Sequence, residues 1–174
     1  MTGKAQDRLF EEAIDRFGGA IARMARGYEA DPELQRDLLQ ELQVALWQSF
    51  ARFDARCAMS TWVWRVVHNR AASHVAAQAR KRRRPWVDIE DLALADDAPS
   101  PAERAETDQA LALMLAIIDR LGPPDRQILL LYLEGMPAAE IADVTGVSSE
   151  AVATKVHRFK SMLTRRFAGL GDAT

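Results

Sequence analysis

The chain has 174 residues, enough for one medium-sized domain or two small ones, and a net charge of −2. Hydrophobic residues make up 48% of it, so packed cores can form. Its longest apolar runs are too short to span a bilayer, and we expect no membrane insertion. Cys57 is the only cysteine, so no internal disulfide can form, which favours the reducing cytoplasm as its location.

The N-terminal half shows apolar residues at helical spacing, and no stretch shows the alternation of a strand. A first helix is predicted around the apolar stripe that runs from Phe10 to Tyr28. Asp31 and Pro32 are typical of a helix start, because Asp caps unpaired amides and Pro needs no amide donor. A second helix follows, with a buried stripe at every fourth residue from Leu34 to Phe50. A third is expected from about residue 60 to residue 84.

The charge changes sharply after this half. Residues 1–88 carry 15 Lys and Arg against 11 Asp and Glu, whereas residues 89–110 carry one basic residue against seven acidic ones. Residues 111–174 have seven of each sign. Three prolines between positions 85 and 101 indicate a non-helical and mobile segment. The pattern predicts a basic module, an acidic connector and a neutral module.

The C-terminal half is predicted to form helices at about 103–121, 125–134, 137–144 and 148–167, and the last two are typical of a helix-turn-helix. Pro137 can be a first helical residue, Gly146 permits a left-handed exit, and Ser148 can cap the following helix. The outward residues of that helix are small or polar near its start and basic further on. Small polar groups can approach base edges, and basic ones reach phosphates. The alternative is an ordinary helical hairpin with a solvated face.

Catalytic chemistry has no visible support in the sequence. The three histidines show no spacing with cysteine or carboxylates that suggests zinc. A phosphate-binding glycine loop, a nucleophile elbow and a metalloprotease pair are also missing from the sequence. We therefore expect no enzyme activity, no metal and no cofactor.

Two sequence blocks carry a family resemblance. The first runs from Asp37 to Trp47 (DLLQELQVALW) and continues through Phe53-Asp54 to residues 60–70 (STWVWRVVHNR). The second is the helix-turn-helix. Together they resemble bacterial extracytoplasmic-function sigma factors, which retain only the region-two and region-four domains. The resemblance implies an all-α fold of two small helical domains, a region-two bundle and a region-four helix-turn-helix domain, joined by an acidic flexible linker. The expected boundaries are 1–87, 88–105 and 106–174.

The resemblance also implies roles for individual residues. Contact with the clamp coiled coil of core RNA polymerase falls to Asp37, Leu38, Gln40, Glu41 and Trp47. Binding and melting of the minus-ten promoter element fall to Arg56, Ser60, Trp62, Arg65, Asn69, Arg80 and Lys81. Recognition of the minus-thirty-five element falls to Ser149, Glu150, Ala153, Thr154, Lys155 and Arg158.

The sequence departs from the family pattern at several of these positions. Trp62 matches the first of two adjacent tryptophans in housekeeping sigma factors, but Val63 occupies the second position, which implies weaker intrinsic melting. Trp62 and Trp64 are two residues apart and cannot share a helix face, so one is expected in the core and the other near the surface. Asn69 is followed by Ser73 where the family often has Asp, and exact base preferences stay open.

Three functions are compatible with these features. The favoured one is a promoter-specificity subunit of RNA polymerase that also assists promoter melting. The second is a polymerase-independent helix-turn-helix regulator, and the third is a helical adaptor. Affinity for duplex DNA comes largely from phosphate neutralisation, and the neutral C-terminal module should bind DNA poorly alone. The expected partners are therefore core RNA polymerase and promoter DNA. The resemblance adds an anti-sigma factor, since such control is common in the family, although no single residue proves it.

Overall fold

A computed structural model describes the backbone at residues 3–82, 86–94 and 107–171, and the side chains at 3–78, 86–92 and 114–165. The chain divides into two compact units, unit 1 (Met1–Arg84) and unit 2 (Pro85–Thr174). Within the described residues the secondary structure is helical, which confirms the predicted all-α class. No helix of those residues combines the length and the apolar character that a bilayer crossing requires.

Unit 1 is built from three long helices that pack against one another. They are α1 (Gly3–Tyr28), α2 (Pro32–Ser49) and α3 (Met59–Arg82), with a 3-10 turn (Phe50–Arg52) after α2. Asp31 caps α2 as predicted, because its Oδ1 accepts hydrogen bonds from the amides of Glu33 at 2.8 Å and Leu34 at 3.3 Å. The apolar stripes of the three helices meet in one core, formed by Ile21, Met24, Tyr28, Leu38, Leu42, Leu46, Val63, Trp64 and Val67.

One histidine lies inside this core. His68 is buried on α3, and its Nδ1 is 2.7 Å from the hydroxyl oxygen of Tyr28 on α1. The Trp64 ring packs nearby, with its centroid 6.3 Å from that of the imidazole. Desolvation by burial lowers the pKa of His68 from 6.5 to about 3, because the charged imidazolium would lose its hydration. His68 is therefore neutral at physiological pH, and its Nδ1 can accept the Tyr28 hydroxyl hydrogen.

Unit 2 contains five helices among its described residues: α4 (Ile89–Leu94), α5 (Thr107–Arg120), α6 (Asp125–Leu133), α7 (Ala138–Thr145) and α8 (Ser149–Gly171). The predicted turn between α7 and α8 is present, since Gly146 is left-handed with φ of +75°. The Ser148 hydroxyl oxygen accepts a hydrogen bond from the Ala151 amide at 3.3 Å, as a cap does. Pro137 differs from the prediction, because its extended backbone, with ψ of 152°, places it before the first helical residue.

The start of the acidic connector also differs from the prediction. The sequence indicates a non-helical segment from residue 88, but α4 begins at Ile89. Ile89 and Leu92 lie on one side of this short helix and are fully buried in unit 2. The Ile89 amide donates a hydrogen bond of 2.8 Å to Oδ2 of Asp125 at the start of α6. Residues 95–106 of the connector lie outside the described residues.

Candidate polymerase-binding and nucleic-acid interfaces

A shallow groove of about 760 Å³ lies along the outer side of α2 in unit 1. It is lined by Asp37, Gln40, Glu41, Val44, Ala45, Gln48 and Arg70. Val44 is 53% exposed, and Trp47, one turn further along the helix, is 40% exposed. Large apolar side chains on a surface that also carries acids and amides are typical of a site that binds another protein.

Polar side-chain contacts connect one wall of the groove to α3. Nη2 of Arg70 lies 2.9 Å from Oε2 of Glu41, and Nδ1 of His74 lies 3.9 Å from the same oxygen. Nε2 of His74 lies 3.3 Å from the buried carboxylate of Glu29. Glu41 is therefore engaged within unit 1, a contact that the sequence did not reveal. Asp37 and Gln40 extend from the exposed part of the same helix.

Two other residues predicted to bind polymerase have different environments. Leu38 is fully buried in the core between the helices. The prediction that Leu38 contacts a partner is therefore wrong. Trp47 remains partly exposed, but its indole Nε1 donates a hydrogen bond of 2.9 Å to Asp7 on α1. The side-chain amide of Gln6 donates to the Trp47 carbonyl at 2.8 Å. The ring is thus held in a fixed orientation at the exposed surface of α2, beside α1.

The two tryptophans of α3 separate as the spacing predicts. Trp64 is buried, and its ring meets that of Phe17 edge-on at 5.8 Å. Trp62 is only half-buried. Its ring packs on Phe53 with centroids 5.3 Å apart, and its Nε1 donates a hydrogen bond of 2.9 Å to the Ser49 hydroxyl. Trp62 is therefore the tryptophan that keeps an accessible surface on a supported ring.

The remaining residues predicted for the minus-ten element lie on α3 and the loop before it. Arg65 and Asn69 are exposed, and their spacing from Trp62 places all three along one face of α3. Ser60 is half-buried near the start of the helix. Arg56 extends from the loop, and its Nε lies 3.1 Å from the carboxylate of Asp54. The side chains of Arg80 and Lys81 lie outside the described residues.

The start of α8 exposes the four residues that are predicted to lie near the bases. These exposed residues are Ser149, Glu150, Ala153 and Thr154. The Thr154 hydroxyl donates a hydrogen bond of 2.9 Å to the Glu150 carbonyl, which fixes the rotamer of this side chain. The opposite side of the helix is anchored by Val152 and Phe159, both buried.

The basic residues of α8 are engaged by acids of unit 2. Nζ of Lys155 lies 2.7 Å from Oδ1 of the buried Asp125 and 3.3 Å from the Glu90 carboxylate. Arg158 Nη1 also contacts Glu90. The side chain of Lys155 is 19% exposed and that of Arg158 is 44% exposed. Lys155 is thus mainly a structural bridge, whereas Arg158 keeps access to solvent.

The pKa values of this cluster follow from the same contacts. Partial burial by itself would raise the pKa of Glu90, but a backbone hydrogen bond together with Lys155 and Arg158 lowers it below its ordinary value. Burial would lower the pKa of Lys155, but Asp125 and Glu90 raise it above its ordinary value. Glu90 and Lys155 are therefore both charged near neutral pH, and the Glu90 carboxylate offsets positive charge of α8. Sequence reasoning missed both Glu90 and Asp125.

Comparison with known proteins identifies the family. A family model described as Sigma-70 region 2 matches residues 13–84, and one described as Sigma-70, region 4 matches residues 111–163. The RNA polymerase sigma factor NccH of Alcaligenes xylosoxydans xylosoxydans is 29% identical over 89% of this chain and 84% of its own length. The ECF RNA polymerase sigma factor SigF of Caulobacter vibrioides is 29% identical over 87% of this chain and 79% of its own. The chain belongs to the extracytoplasmic-function sigma factors of the sigma-70 family.

This sigma factor shares its fold with a solved relative. The structure of CnrH in complex with the cytosolic domain of CnrY aligns with a TM-score of 0.66, at 21% identity over 99% of this chain and 94% of the other. Sigma factors direct RNA polymerase to specific promoters, and the matches to both regions confirm the promoter-directing function predicted from the sequence.

Proposed function

We propose that this sigma factor divides its work between its two units. Unit 1 binds core RNA polymerase through the α2 groove and the minus-ten element through α3, and unit 2 binds the minus-thirty-five element through α8. The observation that carries this proposal is the match of region 2 and region 4 to separate compact units, each with exposed side chains at the positions that the family resemblance assigns to contacts.

The α2 groove has the chemistry that a helical protein partner needs. Val44 in the groove and Trp47 one turn further along α2 supply apolar area that is already exposed. Asp37 and Gln40 supply polar contacts within the groove. Trp47 is preorganised by its bond to Asp7, so little side-chain entropy is lost on binding. Aromatic residues are enriched in the centres of protein interfaces. Core polymerase is the partner that this surface accepts.

The face of α3 suits a single DNA strand better than a duplex groove. Trp62 can stack on an unpaired base, a contact worth about 1–3 kcal/mol per base. Phe53 and the Ser49 hydroxyl hold the indole from behind. Arg65 and Asn69 lie along the same face, so one can reach the backbone while the other bonds a base edge. We assign assistance in promoter melting to this face.

Unit 2 recognises duplex DNA in this proposal. The short polar residues at the start of α8 face the major groove, as in other recognition helices, and Arg158 reaches a phosphate of the backbone. The balanced charge of residues 111–174 argues against the rival function of a polymerase-independent regulator, because few phosphates could be neutralised by this unit alone.

The proposal also covers the location and the regulation of the protein. Transcription in bacteria takes place in the cytoplasm, so we place the sigma factor there. CnrH, a sigma factor of Cupriavidus metallidurans, was solved with the cytosolic domain of CnrY. By analogy, an anti-sigma factor that covers the polymerase- or promoter-binding surfaces would regulate this chain.

Polymerase binding can be tested with a charge reversal in the groove. We expect Asp37→Lys to weaken binding of the full chain to bacterial core polymerase by about tenfold, since a contact at the interface becomes repulsive. Asp15→Lys is the matched control, because it makes the same charge change at an exposed site on α1. Fluorescence anisotropy of the labelled chain measures the affinity, and circular dichroism confirms that both variants fold.

Two results would contradict the proposal. One is equal affinity of the Asp37→Lys and Asp15→Lys variants for core polymerase. The other is a wild-type chain that does not bind core polymerase but binds one DNA sequence tightly as a dimer, which would favour the regulator.

A further inference from the structure

The short helix α4 packs against α8, the helix proposed to bind DNA, and its apolar side is buried in unit 2. Ile89 and Leu92 are fully buried, and Asp125 accepts a hydrogen bond from the first amide of α4. The Glu90 carboxylate, on the other side of α4, contacts Lys155 and Arg158 of α8. The acidic start of the connector is therefore folded onto the basic part of the recognition helix.

Lys155 and Arg158 differ in how readily each can bind a DNA phosphate. Lys155 has a second and closer acid in Asp125, which is buried, so it stays neutralised whether or not Glu90 is present. Arg158 is more exposed, and Glu90 is itself 38% exposed. The Glu90–Arg158 pair therefore lies at the surface, where a phosphate oxygen can approach the same guanidinium.

We propose that α4 acts as an intramolecular competitor of DNA, with Glu90 occupying the guanidinium of Arg158 that a DNA phosphate would bind. This inference rests on the proposed function of α8. A carboxylate on the guanidinium cancels its charge and repels an incoming phosphate. DNA binding then requires Arg158 to exchange one anionic partner for another, which lowers the affinity of unit 2 for any duplex.

The exchange involves the Glu90 side chain rather than the whole helix. Release of α4 would expose the buried side chains of Ile89 and Leu92 to water, which is strongly unfavourable. Rotation of Glu90 leaves those contacts and the Asp125 hydrogen bond intact. Lys155 keeps its contact with Asp125 in both states, so α8 does not need to move.

Removal of the charge at position 90 tests the competition. The full chain without polymerase is titrated against a fluorescein-labelled duplex of about 30 base pairs of random sequence, because a phosphate contact does not depend on sequence. We expect Glu90→Gln to raise the affinity about two- to fivefold, the range of an exposed ion pair. Glu90→Asp keeps the charge but shortens the reach, and it should lie between the wild type and Glu90→Gln.

Asp91→Asn is the matched control, because Asp91 is an exposed acid on the same helix and its change alters the net charge equally. We expect a clearly smaller gain from it. A double-mutant cycle adds specificity: in an Arg158→Ala background, Glu90→Gln should lose most of its effect. Thermal melts of each variant confirm that unit 2 is folded.

The outcomes distinguish failure of the Glu90 competition from failure of the DNA contact proposed for Arg158. Equal gains from Glu90→Gln and Asp91→Asn would overturn the competition and leave only general charge. Weaker DNA binding by Glu90→Gln would also overturn it, because Glu90 would then position Arg158 for DNA. If Arg158→Ala leaves DNA binding unchanged even in the Glu90→Gln background, where no carboxylate holds the guanidinium, the proposed role of Arg158 in α8 fails, and the competition fails with it. Binding of core polymerase through the α2 groove is measured independently and is untouched by that result.

Discussion

Acidification should destabilise unit 1 through one buried histidine. His68 has a folded-state pKa of about 3, against 6.5 when the ring is in water. Below pH 6.5 the unfolded chain therefore takes up a proton that the folded chain cannot bind. By linkage, stability falls as the pH drops through this range and levels off only near the folded-state pKa. The sign is opposite to that of a histidine stabilised by an acidic partner.

The size of the effect follows from these two values. At about pH 5 the unfolded imidazole is almost fully protonated, 1.5 pH units below its pKa, while the folded ring stays neutral. Each unit corresponds to about 1.36 kcal/mol, so the free energy of unfolding should fall by about 2 kcal/mol between about pH 7.5 and pH 5. That is a substantial part of the stability of a small domain.

The assay is urea denaturation followed by tryptophan fluorescence in a Trp86→Phe background, in which every remaining tryptophan lies in unit 1. His68→Asn removes the titrating ring and keeps an acceptor for the Tyr28 hydroxyl. This variant is expected to be less stable at neutral pH but to lose about 2 kcal/mol less than the wild type on acidification. An equal loss in both proteins would refute the argument that His68 is held neutral by burial.

Three further predictions concern a helix cap, a left-handed glycine and a buried ion pair. Asp31→Ala should destabilise unit 1 by about 1 kcal/mol in the same urea assay, because two amides of α2 lose their acceptor. Gly146→Ala should cost unit 2 about 1–2 kcal/mol from backbone strain alone, since nothing lies within 4 Å of the added methyl; Gly146→Asn should cost less. Asp125→Asn should cost unit 2 about 2 kcal/mol by weakening the Lys155 contact and should speed amide exchange in α6 and α8.

Much of the fold was predictable because local chemistry determines it. The apolar stripes of α1 and α2 are regular. Asp31 caps the start of α2, and Gly146 adopts the left-handed backbone at the end of α7. The helix α4 escaped prediction because a helix of only six residues gives almost no periodic signal inside an acidic segment rich in proline. Its stability comes from burial of Ile89 and Leu92 in unit 2, which the local sequence does not record.

The site was less predictable than the fold. Leu38 shows a conflict within the sequence itself: the family motif suggested a contact, while helical spacing placed it in the buried stripe, and the spacing was right. The pairing of Glu90 with Arg158 links residues 68 positions apart, and that of Glu41 with Arg70 links residues 29 apart. A single sequence identifies such residues as charged but not as neighbours.

The weak DNA binding proposed for unit 2 would have a functional consequence. If Glu90 reduces the charge that α8 offers to DNA, a sigma factor without polymerase has little tendency to occupy the genome non-specifically. If the α2 groove binds core polymerase as proposed, unit 2 would be presented to promoter DNA at high effective concentration, and a modest affinity would be sufficient. Under this proposal the acidic helix would couple promoter recognition to assembly of the holoenzyme, because α8 would bind DNA usefully only as part of that complex.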